Sequence, residues 1–302
     1  WNTENIVDDS DEWWARLVTN RGSPTDLVEI PRGFFYVCYN CYINNKAVRI
    51  SSHSPPPKDT VMNEKKFKKI IWGYHKENKR NLPWRKTRDP YKILISEVML
   101  QQTQVSRVLP KYKSFLKKFP TVKVLAKAKL RDVLEEWQVL GYNRRAIFLK
   151  KCIEKNENDF KGKFPKHFKT LLSLPGIGPT TAGNILVFSW NIPTVVIETN
   201  IRSVFIHFFF KEKDKVNDKE IVPLVAGTID KENPREWYYA LFDYGVVLKR
   251  TSNPSRKGAH YTKQSKFTGS YRQKRADVLR ISLQNRKKPL TEIQIQKVVF
   301  YE

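Results

Sequence analysis

From Asn63 onward the apolar positions recur at helical spacing. In NEKKFKKIIWGYHKENKR, Phe67, Ile70, Ile71 and Tyr74 fall on one face of an amphipathic helix. NLPWRKTRDP interrupts as a loop, and Asp89-Pro90 then offers an N-cap with proline at the first helical position. The segment that follows, YKILISEVMLQQTQV, is apolar almost all round as far as Gln101, which predicts a buried helix. Short helices are predicted over 110–119, 122–127, 130–139, 143–156 and 165–174, the last leading into a helical hairpin. Beyond the hairpin, Asn191-Ile192-Pro193 breaks the period, residues 194–197 read as extended, and a helix starts near Thr199 or Asn200. Asn233-Pro234 opens one more helix, PREWYYALFDYGVVLKR. Strand-like alternation is nearly absent, so the expected fold class is all-α.

Residues 1–60 follow a different pattern. They hold acidic and Gly/Pro-rich patches without a sustained period and end in the proline-rich linker SSHSPPPKD. They read as an appendage with no assigned function. At the other end, KKPLTEIQIQKVVFYE within 281–302 reads as a helix cut short, and the chain, opening on Trp1, reads as a fragment.

The hairpin is LLSLPGIGPTTAGNIL, residues 171–186. Gly176 and Gly178 free the backbone for a tight turn, and Pro179 with Thr180 opens the second helix, where a missing N–H costs nothing. The unpaired amides at that helix start, with those of the turn, suit a phosphate oxygen. An ordinary interhelical turn is the plainer reading of a lone G-x-G; the full string favours contact with a nucleic-acid backbone.

Two glutamates stand out. Glu97 has Ile93, Leu94, Leu100 and Gln101 as helical neighbours, so its carboxyl projects from a mostly apolar surface and is expected to hold its proton near neutrality. Pairing with one of the many Lys and Arg residues is the alternative. Glu198 precedes a helix start, where unpaired amides favour the ionised form, the opposite tuning; helix capping is the commoner use of such a residue. Between them, LGYNRR at 140–145 places Leu140 and Tyr142 at a turn beside Arg144 and Arg145, a grouping that suits insertion into a base stack or, equally, capping of a core.

Charge narrows the class of partner. Across 302 residues, Lys and Arg outnumber Asp and Glu by 56 to 30, a formal net charge of +26, which points to a polyanion, nucleic acid ahead of membrane. No apolar run reaches the roughly 20 residues of a membrane span. Residues 244–276 carry nine Lys or Arg and no acid, interleaved with Tyr261, Phe267 and Tyr271, and read as a nucleic-acid-facing surface. The three cysteines, Cys38, Cys41 and Cys152, do not form a disulfide framework, and the lone C-x-x-C has no second pair of ligands for a metal.

Taken together, LPWR (82–85), SEVMLQQTQV (96–105), Trp137 with LGY (140–142), LPGIGPTTAG (174–183) and ETN (198–200) resemble the helix-hairpin-helix (HhH-GPD) DNA glycosylases, in particular MutY-type adenine glycosylases, over about residues 63–280. The resemblance implies a two-lobed helical fold: a helical barrel over 90–196, and a second domain pairing 61–89 with 197–280, with DNA in the cleft between. It implies that Glu97 protonates adenine, that Glu198 stabilises the developing oxocarbenium ion with support from Asn200, and that Arg85 lines the base pocket. Gln101 and Gln102 would sit by the lesion, Leu140 and Tyr142 would wedge into the duplex, and Gly176, Ile177, Gly178 and Thr181 would hold a phosphate.

Three departures matter. Relatives usually carry Asp where Glu198 stands, one methylene shorter. The hairpin position that holds Lys in lyase-competent relatives is Thr180, so a Schiff base has no amine there and strand cleavage is expected to be weak or absent. The sequence has no cysteine after Cys152, so the four ligands of the relatives' iron–sulfur cluster are missing; no cofactor and no metal is expected, with the basic segment 249–275 in that place. The implied function is monofunctional excision of adenine mispaired with guanine or oxidised guanine in double-stranded DNA, by a monomer with no membrane partner. It would act in the cytoplasm or nucleoid of a bacterium, or in the nucleus of a eukaryote. A thymine or uracil mismatch glycosylase and a non-catalytic helix-hairpin-helix DNA-binding protein are the alternatives.

Overall fold

The computed structural model describes residues 62–259, 261–285 and 294. Cys38, Cys41, the proline-rich linker and the last predicted helix lie outside these residues. Twelve α-helices follow in order among the described residues: α1 (Glu64–Asn78), α2 (Pro90–Leu100), α3 (Val105–Lys118), α4 (Val122–Lys127), α5 (Leu130–Trp137), α6 (Arg144–Phe160), α7 (Phe168–Leu172), α8 (Pro179–Trp190), α9 (Thr199–Phe209), α10 (Asp218–Thr228), α11 (Pro234–Thr251) and α12 (Tyr271–Gln284). Among the described residues the sole β pairing is a single parallel bridge between Val216 and Gly258, so the fold is all-α. No helix there is long and apolar enough to cross a membrane.

Local signals set most of the boundaries. Asp89 accepts from the Tyr91 amide at 2.9 Å, and Asn63 caps α1 through the Lys66 amide at 2.7 Å. Helix α3 starts earlier than expected, at Val105, and runs through Pro110. Proline there deletes one backbone bond, but Val108, Tyr112 and Phe115 on the same face are buried, and their packing carries the helix across it. Helices α10 and α12 were not read from the sequence. A capping box, in which Asn217 and Glu220 satisfy each other's backbone amides, starts α10.

Helix α2 is buried between α8 and α3, as its all-round apolar character requires, with Ile93, Leu94, Ile95 and Met99 at 0–1 % exposure. On the other side, α1, α9 and α11 pack together around Phe67, whose ring meets Phe205, Phe208, Phe209 and Trp237 at centroid distances of 5.1–5.9 Å. A buried ionic cluster ties the LPWR turn to α11. Arg85 donates to both oxygens of Asp243 at 2.7 and 2.8 Å, Arg80 adds a second ion pair, and His75 lies 3.6 Å away.

Candidate active site

Three elements bring their side chains to one place: the last turn of α2, the first turns of α8 and the N-terminus of α9. Glu97 emerges from α2 half-buried. Its Oε2 accepts from Asn184 Nδ2 of α8 at 2.6 Å, and no Lys or Arg among the described residues pairs with it. Burial is the main force on its carboxyl, Asn184 opposes it, and the charge of nearby Glu198 adds to it; the carboxyl is pushed up to about 7. Glu97 therefore keeps a proton close to neutral pH, as its position on an apolar face predicts.

Glu198 caps α9. Its Oε1 accepts from the amides of Asn200 at 2.9 Å and Ile201 at 3.2 Å, and its Oε2 from Asn200 Nδ2 at 3.2 Å. The supporting place of Asn200 is thus a hydrogen bond to the acid itself. The opposite tuning expected of the two acids does not hold. Burial raises Glu198 too, outweighing these three bonds and the Lys249 charge that pull it down. Close seating of α9 on α11 produces that burial: a Cβ built on Gly245 would lie 2.5 Å from the Asn200 carbonyl oxygen. Lys249, at the end of α11, was not singled out in the sequence as part of this site.

The hairpin forms as its glycines demand. Gly176 takes φ +76°, and a Cβ there would meet Phe148 Cβ at 2.7 Å. Gly178 is the N-cap of α8 in extended geometry, and a Cβ there would meet nothing within 4 Å. The space beside its Cα is open. Ile177 and Thr181 are each only 6 % exposed, and the Ile177 amide donates to the Leu174 carbonyl at 3.1 Å, so neither side chain faces solvent and the Ile177 amide closes the turn. Thr180 is half-buried and its Oγ1 donates to the Ile197 carbonyl at 3.3 Å, next to Glu198.

The turn after α5 needs a correction. Leu140, expected as a wedge, is 3 % exposed and belongs to the core, whereas Val139 is 72 % exposed and Tyr142 39 %. Val139 (φ +78°), Gly141 (+69°) and Tyr142 (+49°) are all left-handed, which turns Leu140 inward and leaves Val139 at the tip. Arg145 fixes this turn to α2. Its guanidinium donates to the Val98 and Met99 carbonyls at 2.8 and 2.9 Å, to the Gln101 carbonyl, and to the Leu140 and Gly141 carbonyls at 3.1 and 3.0 Å. The exposed Gln101 and Gln102 side chains thus sit beside the turn. From α12, Arg272 donates to the Tyr142 hydroxyl at 3.0 Å, which brings the basic segment to the same edge.

Arg85 has a different engagement from the base-pocket role expected of it. Its side chain is 5 % exposed, held by Asp243, and lies over the Tyr239 ring at 4.4 Å. Tyr239, in turn, feels the Glu97 charge, so Arg85 stands one ring behind the acid.

Residues 95–223 match the family described as HhH-GPD superfamily base excision DNA repair proteins. The chain is similar to the adenine DNA glycosylase of Buchnera aphidicola subsp. Baizongia pistaciae, 36 % identical over 192 residues, which cover 62 % of this chain and 54 % of the relative. It is 37 % identical over 188 residues to the adenine DNA glycosylase of Mycobacterium tuberculosis, covering 61 % and 62 %. Among solved structures, a thermostable thymine-DNA glycosylase superposes with a TM-score of 0.57 at 26 % identity, over 61 % of this chain and 86 % of that one. The chain spans about half the length of the Buchnera relatives it matches.

Proposed function

We propose that the protein is a DNA glycosylase that hydrolyses the N-glycosidic bond of adenine mispaired with guanine or oxidised guanine. The observation that carries this reading is geometric: Glu97, bonded to Asn184, and Glu198, bonded to the first amides of α9, are bridged by the α8 stripe that begins at the glycine hairpin. The adenine is extruded from the duplex, at an unstacking cost that mispairing reduces. Glu97 gives its proton to the base as the C1′–N bond breaks, and the bonding pair leaves with adenine. Glu198 offsets the charge on the sugar, and contact with that cation favours its ionised form. Water adds to C1′, and the proton it sheds returns to the Glu97 carboxylate.

Duplex DNA is the proposed partner, held by the hairpin amides, by Val139 and Tyr142 at the edge of the site, and by the basic segment reaching α12. Thr180 in place of an amine makes base removal without strand cleavage the proposed outcome. The reaction as written uses only side chains and water, so the proposal includes no cofactor.

The test uses labelled duplexes carrying A opposite oxidised guanine, A opposite G, T opposite G and U opposite G, each treated with alkali after incubation. Product from the A strand, lost in Glu97→Gln, supports the proposal. The thymine-DNA glycosylase likeness favours a second reading, in which product comes from T or U instead. Tight, salt-sensitive binding with no product from any strand indicates a non-catalytic DNA-binding protein.

A further inference from the structure

Asn184 is 3 % exposed, and its Oδ1 is buried with no hydrogen-bond partner. Buried amide oxygens are nearly always paired, and an unpaired one beside a reacting group calls for a reason. Its place on α8 supplies one. Thr180, one helical turn earlier on the same stripe, reaches the Ile197 carbonyl next to Glu198, while Asn184 reaches Glu97. The stripe therefore runs between the two acids. Because Asn184 Nδ2 donates to Glu97 Oε2, the oxygen left to carry the proton is Oε1. The carboxyl then offers a donor and the amide an unused acceptor.

We propose that Asn184 is a specificity-determining residue, whose Oδ1 accepts a hydrogen from the 6-amino group of an extruded adenine while Glu97 donates to N7. This rests on the glycosylase reading of the site. The major-groove edge of adenine presents an acceptor at N7 and a donor at N6, the complement of this acid–amide pair. Guanine presents acceptors at both N7 and O6, so its O6 would face Oδ1 lone pair to lone pair. Thymine and uracil have no N7. The pair selects adenine because guanine leaves the buried acceptor unmet and a pyrimidine offers no N7 to the acid.

Single-turnover release is measured for parent, Asn184→Ala and the near-isosteric Asn184→Leu on two duplexes. One carries deoxyadenosine opposite guanine, the other the purine deoxynucleoside lacking the 6-amino group. The intrinsic lability of the two glycosidic bonds cancels when the adenine-to-purine ratio of a variant is divided by that of the parent. The inference expects this ratio to fall roughly tenfold in both variants. If both substrates slow equally and the ratio is preserved, Asn184 only orients Glu97 and the inference is wrong. Should a variant release neither base, affinities for the uncleavable 2′-fluoro forms of the two duplexes decide on the same ratio. A parent that binds DNA but releases neither base overturns the functional reading, and this inference with it.

Discussion

Replacing Glu97 by glutamine removes the titrating proton while keeping the shape of the side chain and an acceptor for Asn184. The carboxyl is shifted from 4.5 to about 7 in the folded protein. Below pH 4.5 both states carry the proton and folding incurs no penalty. Between pH 4.5 and 7 the unfolded chain loses the proton first, so stability falls as pH rises, and above 7 the loss is complete at about 3 kcal/mol. At pH 5 the same arithmetic leaves less than about 1 kcal/mol. Glu97→Gln is thus expected to raise the melting temperature by about 6–12 °C at pH 8.5 for a folded unit of this size, and by far less at pH 5. Relief of the Glu198 charge by a neutral neighbour has the same sign. Calorimetry or far-ultraviolet dichroism at the two pH values reads the difference. A gain of equal size at both, or a loss at pH 8.5, refutes the buried-acid account, even if the variant no longer releases adenine.

The strained tip of the turn gives a second expectation. Val139→Gly removes a β-branched residue from φ +78°, and after the entropy that glycine returns to the unfolded chain a net gain of about 1 kcal/mol remains. Thermal melting checks this, while weaker binding to a mismatched duplex than to a matched one would show what the exposed side chain does. Asp243→Asn leaves the buried Arg85 guanidinium without its counter-charge and is expected to cost about 3 kcal/mol in urea denaturation. The Asp243 carboxyl is held well below its usual range by His75, Arg85 and Arg80 against its burial, so the parent's advantage over this variant shrinks only in strong acid. Thr180→Lys places an amine beside Glu198 and should yield a borohydride-trapped protein–DNA adduct that the parent does not form.

Most of the helices were legible because their causes are local: a cap, a proline, a stripe of apolar residues. Glu97 was legible for the same reason, since an acid among Ile93, Leu94 and Leu100 is anomalous on its own helix. Glu198 shows the limit of that reasoning. Its cap was predictable from the next two residues, but the burial that reverses its tuning comes from α11 across Gly245, which no local window contains. Asn184 lies 87 positions from Glu97, and Asp243 lies 158 from Arg85. Each looks like an unremarkable polar residue in its own helix. Leu140 was expected at the tip in place of Val139 because the side on which a side chain falls depends on left-handed geometry at Val139, Gly141 and Tyr142, and only Gly141 announces that conformation in the sequence.

The bond between the LPWR turn and α11 also bears on how the chain is made. Synthesis runs from the N-terminus, so α1 leaves the ribosome roughly 160 residues, on the order of ten to thirty seconds, before the α11 residues that cover it. For most of that interval Phe67 and Ile71, both fully buried in the finished protein, lack the α9 residues, and until its end they lack those of α11. The segment from α2 to α8 can close its local contacts meanwhile, because α2 meets α8 and α3 without help from the later helices. Synthesis therefore leaves the apolar face of α1 uncovered until α9 and α11 emerge. A holdase that binds Phe67 and Ile71 would protect nascent chains, and stop codons placed before Pro234 would yield aggregates rather than a smaller folded protein.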